Sequence, residues 1–160
     1  MADLHDLYAR YARDVHRFAL YLSGDPALAD DITSETFLRA WSSAAPIREG
    51  TVKAYLFTIV RNLYLLELRR TSRHVELKDS LPSAARSQED RIAQQSALAS
   101  VLRALRDLPE VDRAALLMRT QDGMSYEEIA HALQLSLSSA KVKIHRARLR
   151  LSTHIPGKLP

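Results

Sequence analysis

SYEEIAHALQLSLSSAKVKIHRARLRL, residues 125–151, holds two helical patterns separated by a short polar turn. Ser125-Tyr126-Glu127-Glu128 has the spacing of a capping box: the serine can accept from the amide three residues on while Glu128 reaches back. The short helix that follows would bury Ile129, Ala130 and Leu133. A tight turn at Gln134–Ser136 leads into a second helix, with Ser138 or Ser139 available as its cap. Leu137, Ala140, Ile144, Ala147 and Leu151 line one face of that helix. Lys141, His145, Arg146 and Arg148 spread over the other. Helix, short turn and basic amphipathic helix make the helix-turn-helix pattern, whose second helix enters the major groove of DNA.

The charge distribution agrees. The chain has 160 residues and a net charge of +4, but residues 136–160 hold six Lys/Arg and no acid. Residues 1–70 hold nine of each sign. A basic charge gathered in one short segment is the footprint of an element that binds phosphates.

Working back from residue 125, Gly123 ends a helix marked by Val111, Ala114, Ala115 and Met118. Leu108-Pro109 separates it from another, carrying Ile92, Leu98, Val101, Leu102 and Leu105. Before that, from Thr71 to about Glu89, periodicity fades and Ser, Arg and Asp dominate. Such a stretch of roughly twenty residues is long for a loop inside a compact domain and reads as a linker. The chain therefore divides into residues 1–71, a linker at 72–90, and residues 91–155.

The first part is helical as well. Leu4, Leu7, Tyr8, Tyr11, Val15, Phe18, Ala19 and Leu22 recur at three- and four-residue spacing. Gly24 stops that helix, and Asp25-Pro26 restarts the chain as an N-cap followed by proline at the first helical position. Leu28, Ala29, Ile32, Thr36, Phe37 and Ala40 give the buried side of a helix reaching about Trp41. After a break at Ala44–Gly50, a third helix runs from about Thr51 to Arg70, with Leu56, Ile59, Val60, Leu63 and Leu66 inward. The expected fold is all-α: two small helical domains joined by a flexible linker.

The run from Asp30-Asp31 through Glu35, Phe37-Leu38-Arg39 and Trp41 resembles the acidic signature of region 2 of bacterial sigma factors. Tyr55-Leu56-Phe57-Thr58-Ile59-Val60-Arg61-Asn62, with Arg69-Arg70 beyond, is similar to the region 2 helix that reads the minus-ten promoter element. Leu105 to Leu108-Pro109, Arg113, the capping box and Lys141–Arg148 resemble region 4, which reads the minus-thirty-five element. The order and the single linker match the minimal extracytoplasmic-function group. Some positions depart from the pattern. Tyr55 and Leu66 replace the usual Trp and Asp, Gln134 stands at the turn glycine, and Ser138-Ser139-Ala140 replaces Gly-Thr-Val. The promoter sequence is therefore left open.

The resemblance implies that Asp30, Asp31, Glu35, Phe37, Arg39 and Trp41 dock on core RNA polymerase. Acids at a helix start are also favoured by the dipole alone, while Asp31 and Glu35, four apart, would repel each other without a partner. Phe37 and Trp41 read first as core residues of this unit, with the polymerase interface as the alternative. Lys53, Tyr55, Arg61, Asn62, Arg69 and Arg70 suit the melted minus-ten strand: cations for phosphates, aromatic and amide groups for bases. Tyr55 could instead be core. The loop Pro46–Gly50 is where the resemblance places a pocket for a flipped base. At minus thirty-five, Lys141, His145 and Arg146 would reach base edges, and Ser138, Ser139, Lys143 and Arg148 would hold phosphates. An anti-sigma factor is implied as a further partner.

No catalytic residue, cofactor or metal is expected. The chain has no cysteine, and its histidines form no ligand spacing. Signal sequence and membrane-length apolar run are both missing, so a cytoplasmic protein is expected with no membrane insertion. Two rival readings remain: a stand-alone helix-turn-helix regulator, or a sigma-like mimic that sequesters an anti-sigma factor. The acidic helix and linker weigh against the first, and the basic C-terminal segment against the second.

Overall fold

The computed structural model describes residues 4–43, 52–77 and 97–154. Their secondary structure is helical throughout: α1 (Leu4–Ser23), α2 (Pro26–Ser42), α3 (Val52–Leu77), α4 (Ala97–Arg106), α5 (Glu110–Thr120), α6 (Tyr126–Leu133) and α7 (Leu137–His154). The Pro46–Gly50 loop, Ile92 and linker residues 78–90 lie outside the described residues.

The first unit is a three-helix packing of α1, α2 and α3. Val15, Phe18, Ala19 and Leu22 of α1 meet Leu56, Phe57 and Val60 of α3 in a core with almost no exposure. The Phe18 and Phe57 rings lie stacked, centroids 4.4 Å apart and planes within 8°. The α1–α2 joint forms as its residues dictate. Gly24 takes a left-handed φ of +69°, and the Asp25 side chain accepts from the Leu28 amide at 3.2 Å, with Pro26 opening α2.

Three expectations change in this unit. Trp41 is 64% exposed and not part of the core. Leu66, expected inward, is also largely exposed. Helix α3 runs on to Leu77, through the first residues assigned to the linker. No Gly or Pro interrupts Thr71–Leu77, and the exposed stretch 68–73 needs no apolar stripe, so it shows no period.

In the second unit α5, α6 and α7 pack on one another, with α4 against α5 and α7. Met118, Ile129, Ile144 and Ala147 form its centre. The two units also meet: α1 packs on α4 and α5, and α3 packs on α6.

Candidate nucleic-acid interface

The helix-turn-helix is built by local chemistry. Ser125 Oγ accepts from the Glu128 amide at 3.1 Å, and the Glu128 carboxylate accepts from the Ser125 amide at 3.0 Å, so the capping box is complete. Gln134 closes α6 with φ 56° and ψ 47°, a left-handed geometry that a glycine would adopt more cheaply. The Leu135 amide reaches back to the Ala130 carbonyl at 2.8 Å. Ser136 caps α7, its Oγ accepting from the Ser139 amide at 3.1 Å. The cap is thus Ser136 rather than Ser138 or Ser139, because α7 starts at Leu137 and an N-cap must precede the first turn. Leu137, expected inward, sits exposed at that start.

Ala140, Ile144, Ala147 and Leu151 bury the inner face of α7. Lys141 and His145 are exposed, and Arg148 is half-buried. The Lys141 ammonium lies 5.5 Å from the centre of the Tyr126 ring, and the Arg119 guanidinium lies 4.2 Å from it. Ser138 is exposed beside Ser136. Arg146 has a different surrounding. Its Nε and Nη2 donate to the two oxygens of Asp112 at 2.9 and 3.1 Å, and Lys143 Nζ lies 3.9 Å from the same carboxylate. Asp112 is 1% exposed. The hydrogen bonds it donates to Asp112 hold the Arg146 guanidinium above its usual pKa. A paired, two-pronged guanidinium helps to hold α7, while Lys141 and His145 are the base-edge candidates whose side chains are exposed and make no ion pair among the described residues.

On α2, Asp31, Glu35 and Arg39 are exposed. Asp30 pairs with His16 at 2.8 Å, and Glu35 with Arg39 at 3.1 Å, so the repulsion expected between Asp31 and Glu35 is offset by a neighbouring cation. Asp31, Glu35, Glu67 and Arg70 line a groove between α2 and α3 floored by Ile32 and Leu63. Phe37 is buried, its ring edge-on to Tyr8 at 5.0 Å, and offers nothing to a docking partner. Trp41 and Leu38 offer exposed apolar surface instead.

The α3 candidates are mostly engaged. Lys53 Nζ lies 3.2 Å from Asp14 and 3.7 Å from Asp122. Arg61 makes a two-pronged pair with Glu110 at 2.6 and 2.9 Å. Arg70 bonds both oxygens of Glu67 at 3.1 and 2.7 Å, and this hydrogen bonding holds the Glu67 carboxyl below its usual pKa. Tyr55 packs half-buried against the core, while Asn62 and Arg69 are exposed. Sequence reasoning gave no role to Asp112, Glu110 or Asp122. Each pairs with a cation at least 34 residues away, beyond the reach of any local pattern.

A two-unit helical chain with an acid-bearing helix in one unit and a capped, cationic helix-turn-helix in the other defines a class of DNA-binding transcription factor. Comparison with known proteins narrows it. Residues 7–74 match the Sigma-70 region 2 family, and residues 98–151 match the Sigma-70, region 4 family. The chain is 31% identical to ECF RNA polymerase sigma factor SigM of Bacillus subtilis, over 92% of each chain. It is 36% identical to EcfG of Rhodopseudomonas palustris, covering 84% of this chain and 75% of that one. With SigE of Mycolicibacterium smegmatis it shares 34% identity over 97% of its own length, which spans 62% of that relative. Among solved structures, sigma factor RpoE of Bartonella quintana, in complex with anti-sigma factor NepR, superposes with a TM-score of 0.79 at 25% identity, covering 95% of this chain and 96% of that one. The chain belongs to the ECF (extracytoplasmic-function) family of RNA polymerase sigma factors, regulatory proteins of transcription initiation. Among the described residues no helix is long and apolar enough to cross a membrane, and no cluster of metal-ligating side chains occurs.

Proposed function

We propose that this chain is an alternative sigma factor that binds core RNA polymerase in the cytoplasm, directs initiation at a two-part promoter and is restrained by an anti-sigma factor. Catalysis belongs to the polymerase, and the chain itself is not an enzyme. The observation that carries the reading is the exposed cationic face of α7 on a fully capped helix-turn-helix, tied in one chain to a unit with an exposed acidic groove on α2.

In this reading Asp30, Asp31, Glu35 and Arg39 dock on the polymerase with Trp41 as an apolar anchor. Asn62 and Arg69, with Lys53, Tyr55, Arg61 and Arg70 when released, hold the minus-ten strand. Lys141 and His145 read minus-thirty-five base edges. Ser138, Ser139 and Arg148 hold phosphates near the start and flank of α7, while Arg146 and Lys143 keep that helix in place.

Reconstituted transcription tests it: the purified chain with core polymerase on a genomic promoter library, sequencing the transcripts. Transcripts that start downstream of one shared two-part motif, and vanish without the chain, are expected. Binding to DNA without initiation would instead fit a stand-alone regulator. Asp31→Lys is expected to abolish these transcripts through loss of core binding, measured by co-elution. Unchanged co-elution would remove Asp31 from the docking surface.

A further inference from the structure

Tyr126 opens α6 and has no role in the contacts assigned above, yet two cations of the second unit converge on its ring. The Arg119 guanidinium of α5 lies 4.2 Å from the ring centre, and the Lys141 ammonium of α7 lies 5.5 Å from it. Three helices of the second unit thus meet at one half-buried side chain. Two like charges brought to one ring repel each other, and neither makes an ion pair among the described residues. The negative face of the ring supplies the attraction that offsets this repulsion.

The ring is fixed from both sides of the turn that precedes α6. Gly123 turns the chain with a left-handed φ of +61°, and Arg119 Nη1 donates to the Met124 carbonyl at 2.9 Å. That bond holds the guanidinium against the turn as well as against the ring. Beyond the turn, the Ser125–Glu128 capping box sets the backbone of the first turn of α6, and Tyr126 with it. Lys141, by contrast, is exposed on the second turn of α7 and rests on the ring. A lysine loses much rotamer freedom when its ammonium is fixed on a ligand. One that already lies on a rigid surface loses less and binds more tightly for it.

We propose that Tyr126 is a positioning residue for DNA recognition: its ring, backed by Arg119, holds Lys141 in the pose that meets a base edge. The proposal rests on the reading of α7 as the helix that enters the major groove, and adds the residue that orients its lysine. Tyr126 acts through Lys141, so its effect on binding requires that lysine. The ring face carries the effect and the hydroxyl does not.

The first test uses the free full chain and needs no promoter. A lysine lying over an aromatic ring has its ε-methylene protons shifted upfield. Nuclear magnetic resonance is expected to show that shift for Lys141 in the parent and in Tyr126→Phe. In Tyr126→Leu, which keeps apolar bulk, the signal should return to the ordinary lysine position. DNA affinity is then measured on a duplex retained from a random-sequence pool by the tagged full chain, with core polymerase present throughout. Lys141→Ala is expected to weaken binding about tenfold, and Tyr126→Leu about threefold, the size of an exposed cation–π contact. Added to Lys141→Ala, Tyr126→Leu is expected to cost nothing further. Tyr126→Leu keeps every cation, so its salt dependence should match the parent's.

Four results would overturn the proposal: an unshifted Lys141 in the parent, no duplex retained, equal losses from Tyr126→Leu with and without Lys141, or Tyr126→Phe binding as weakly as Tyr126→Leu. Transcription with core polymerase is read in parallel. Its absence with the coupling intact defeats the sigma-factor reading alone, and its presence without the coupling defeats the positioning role alone.

Discussion

Helices α3 and α7, the two proposed to meet DNA, are anchored in opposite ways, and the anchoring decides what each leaves exposed. Helix α3 is held by bulk: Leu56, Phe57 and Val60 are fully buried, with Phe57 stacked on Phe18. Three of its cations are spent on acids, Lys53 on Asp14 and Asp122, Arg61 on Glu110, Arg70 on Glu67, while Arg69 stays exposed. Helix α7 rests on smaller side chains, Ala140 and Ala147 flanking Ile144, and is pinned from below by the Arg146–Asp112 pair. Among the described residues, Lys141, Arg148 and Arg150 make no ion pair. One helix is thus secured by apolar volume and has Lys53, Arg61 and Arg70 paired with acids. The other is secured partly by charge and keeps the rest of its cations open.

The comparison breaks most sharply at the anchors. Phe57→Ala deletes a ring that no neighbour can replace, and a cost of about 3–5 kcal/mol is expected. It should appear as a lower urea midpoint and as loss of the first unit's near-ultraviolet signal. A cost below about 1 kcal/mol would mean that bulk does not hold α3. Arg146→Ala should follow in size, since it leaves the buried Asp112 carboxylate without its two-pronged partner. Both thermal stability and minus-thirty-five binding are expected to fall. Arg148→Ala should weaken DNA binding alone, with its melting temperature at the parent's value. Equal melting of the two variants would mean that Arg146 is an ordinary surface cation and that the pair beneath α7 is ornamental.

What could be read in advance, and what could not, follows the range of each interaction. The Ser125–Glu128 box and the Asp25-Pro26 start are complete within four residues, so their bonds were expected and are present. The apolar faces of α1, α2 and α6 follow from spacing, apart from Tyr8 on α1, which is 52% exposed. The errors have physical causes. Trp41 fits the buried spacing of α2 approximately, but it comes one residue after Ala40, on the flank that the first unit does not cover. Helix α3 ends later than the spacing predicts because residues 68–73 are exposed and carry no period. Among site residues, the basic face of α7 was legible because no acid lies near it in sequence. The masking of Arg61 and the pinning of Arg146 were not, because Glu110 and Asp112 lie 49 and 34 residues away and meet them only through packing. Arg113 matched a family position, yet nothing in its neighbours told that it would cross to Leu22 and Tyr64.

The smallest effect separates the two acids that the second unit presents to α1 and α3. Glu110 holds a well-formed pair, whereas the Asp122 side chain is shut off from solvent with one oxygen unpartnered. Arg17 faces it at 3.2 Å and Lys53 at 3.7 Å, with Asp14 close to both cations. Burial outweighs these cations and raises the Asp122 pKa, and Asp14 adds to the rise. The folded chain therefore binds a proton at Asp122 more readily than the unfolded chain does. Between the ordinary value of 3.8 and the raised one, stability from this group falls as pH rises and is fully present only below that window. Asp122→Asn, which fixes the neutral form, is expected to raise the neutral-pH urea midpoint slightly and to flatten its change on mild acidification. Glu110→Gln should lower the midpoint at neutral pH. If Asp122→Asn lowers it too, the ion pairs to Arg17 and Lys53 outweigh the burial, and both acids fasten the two units in the same way.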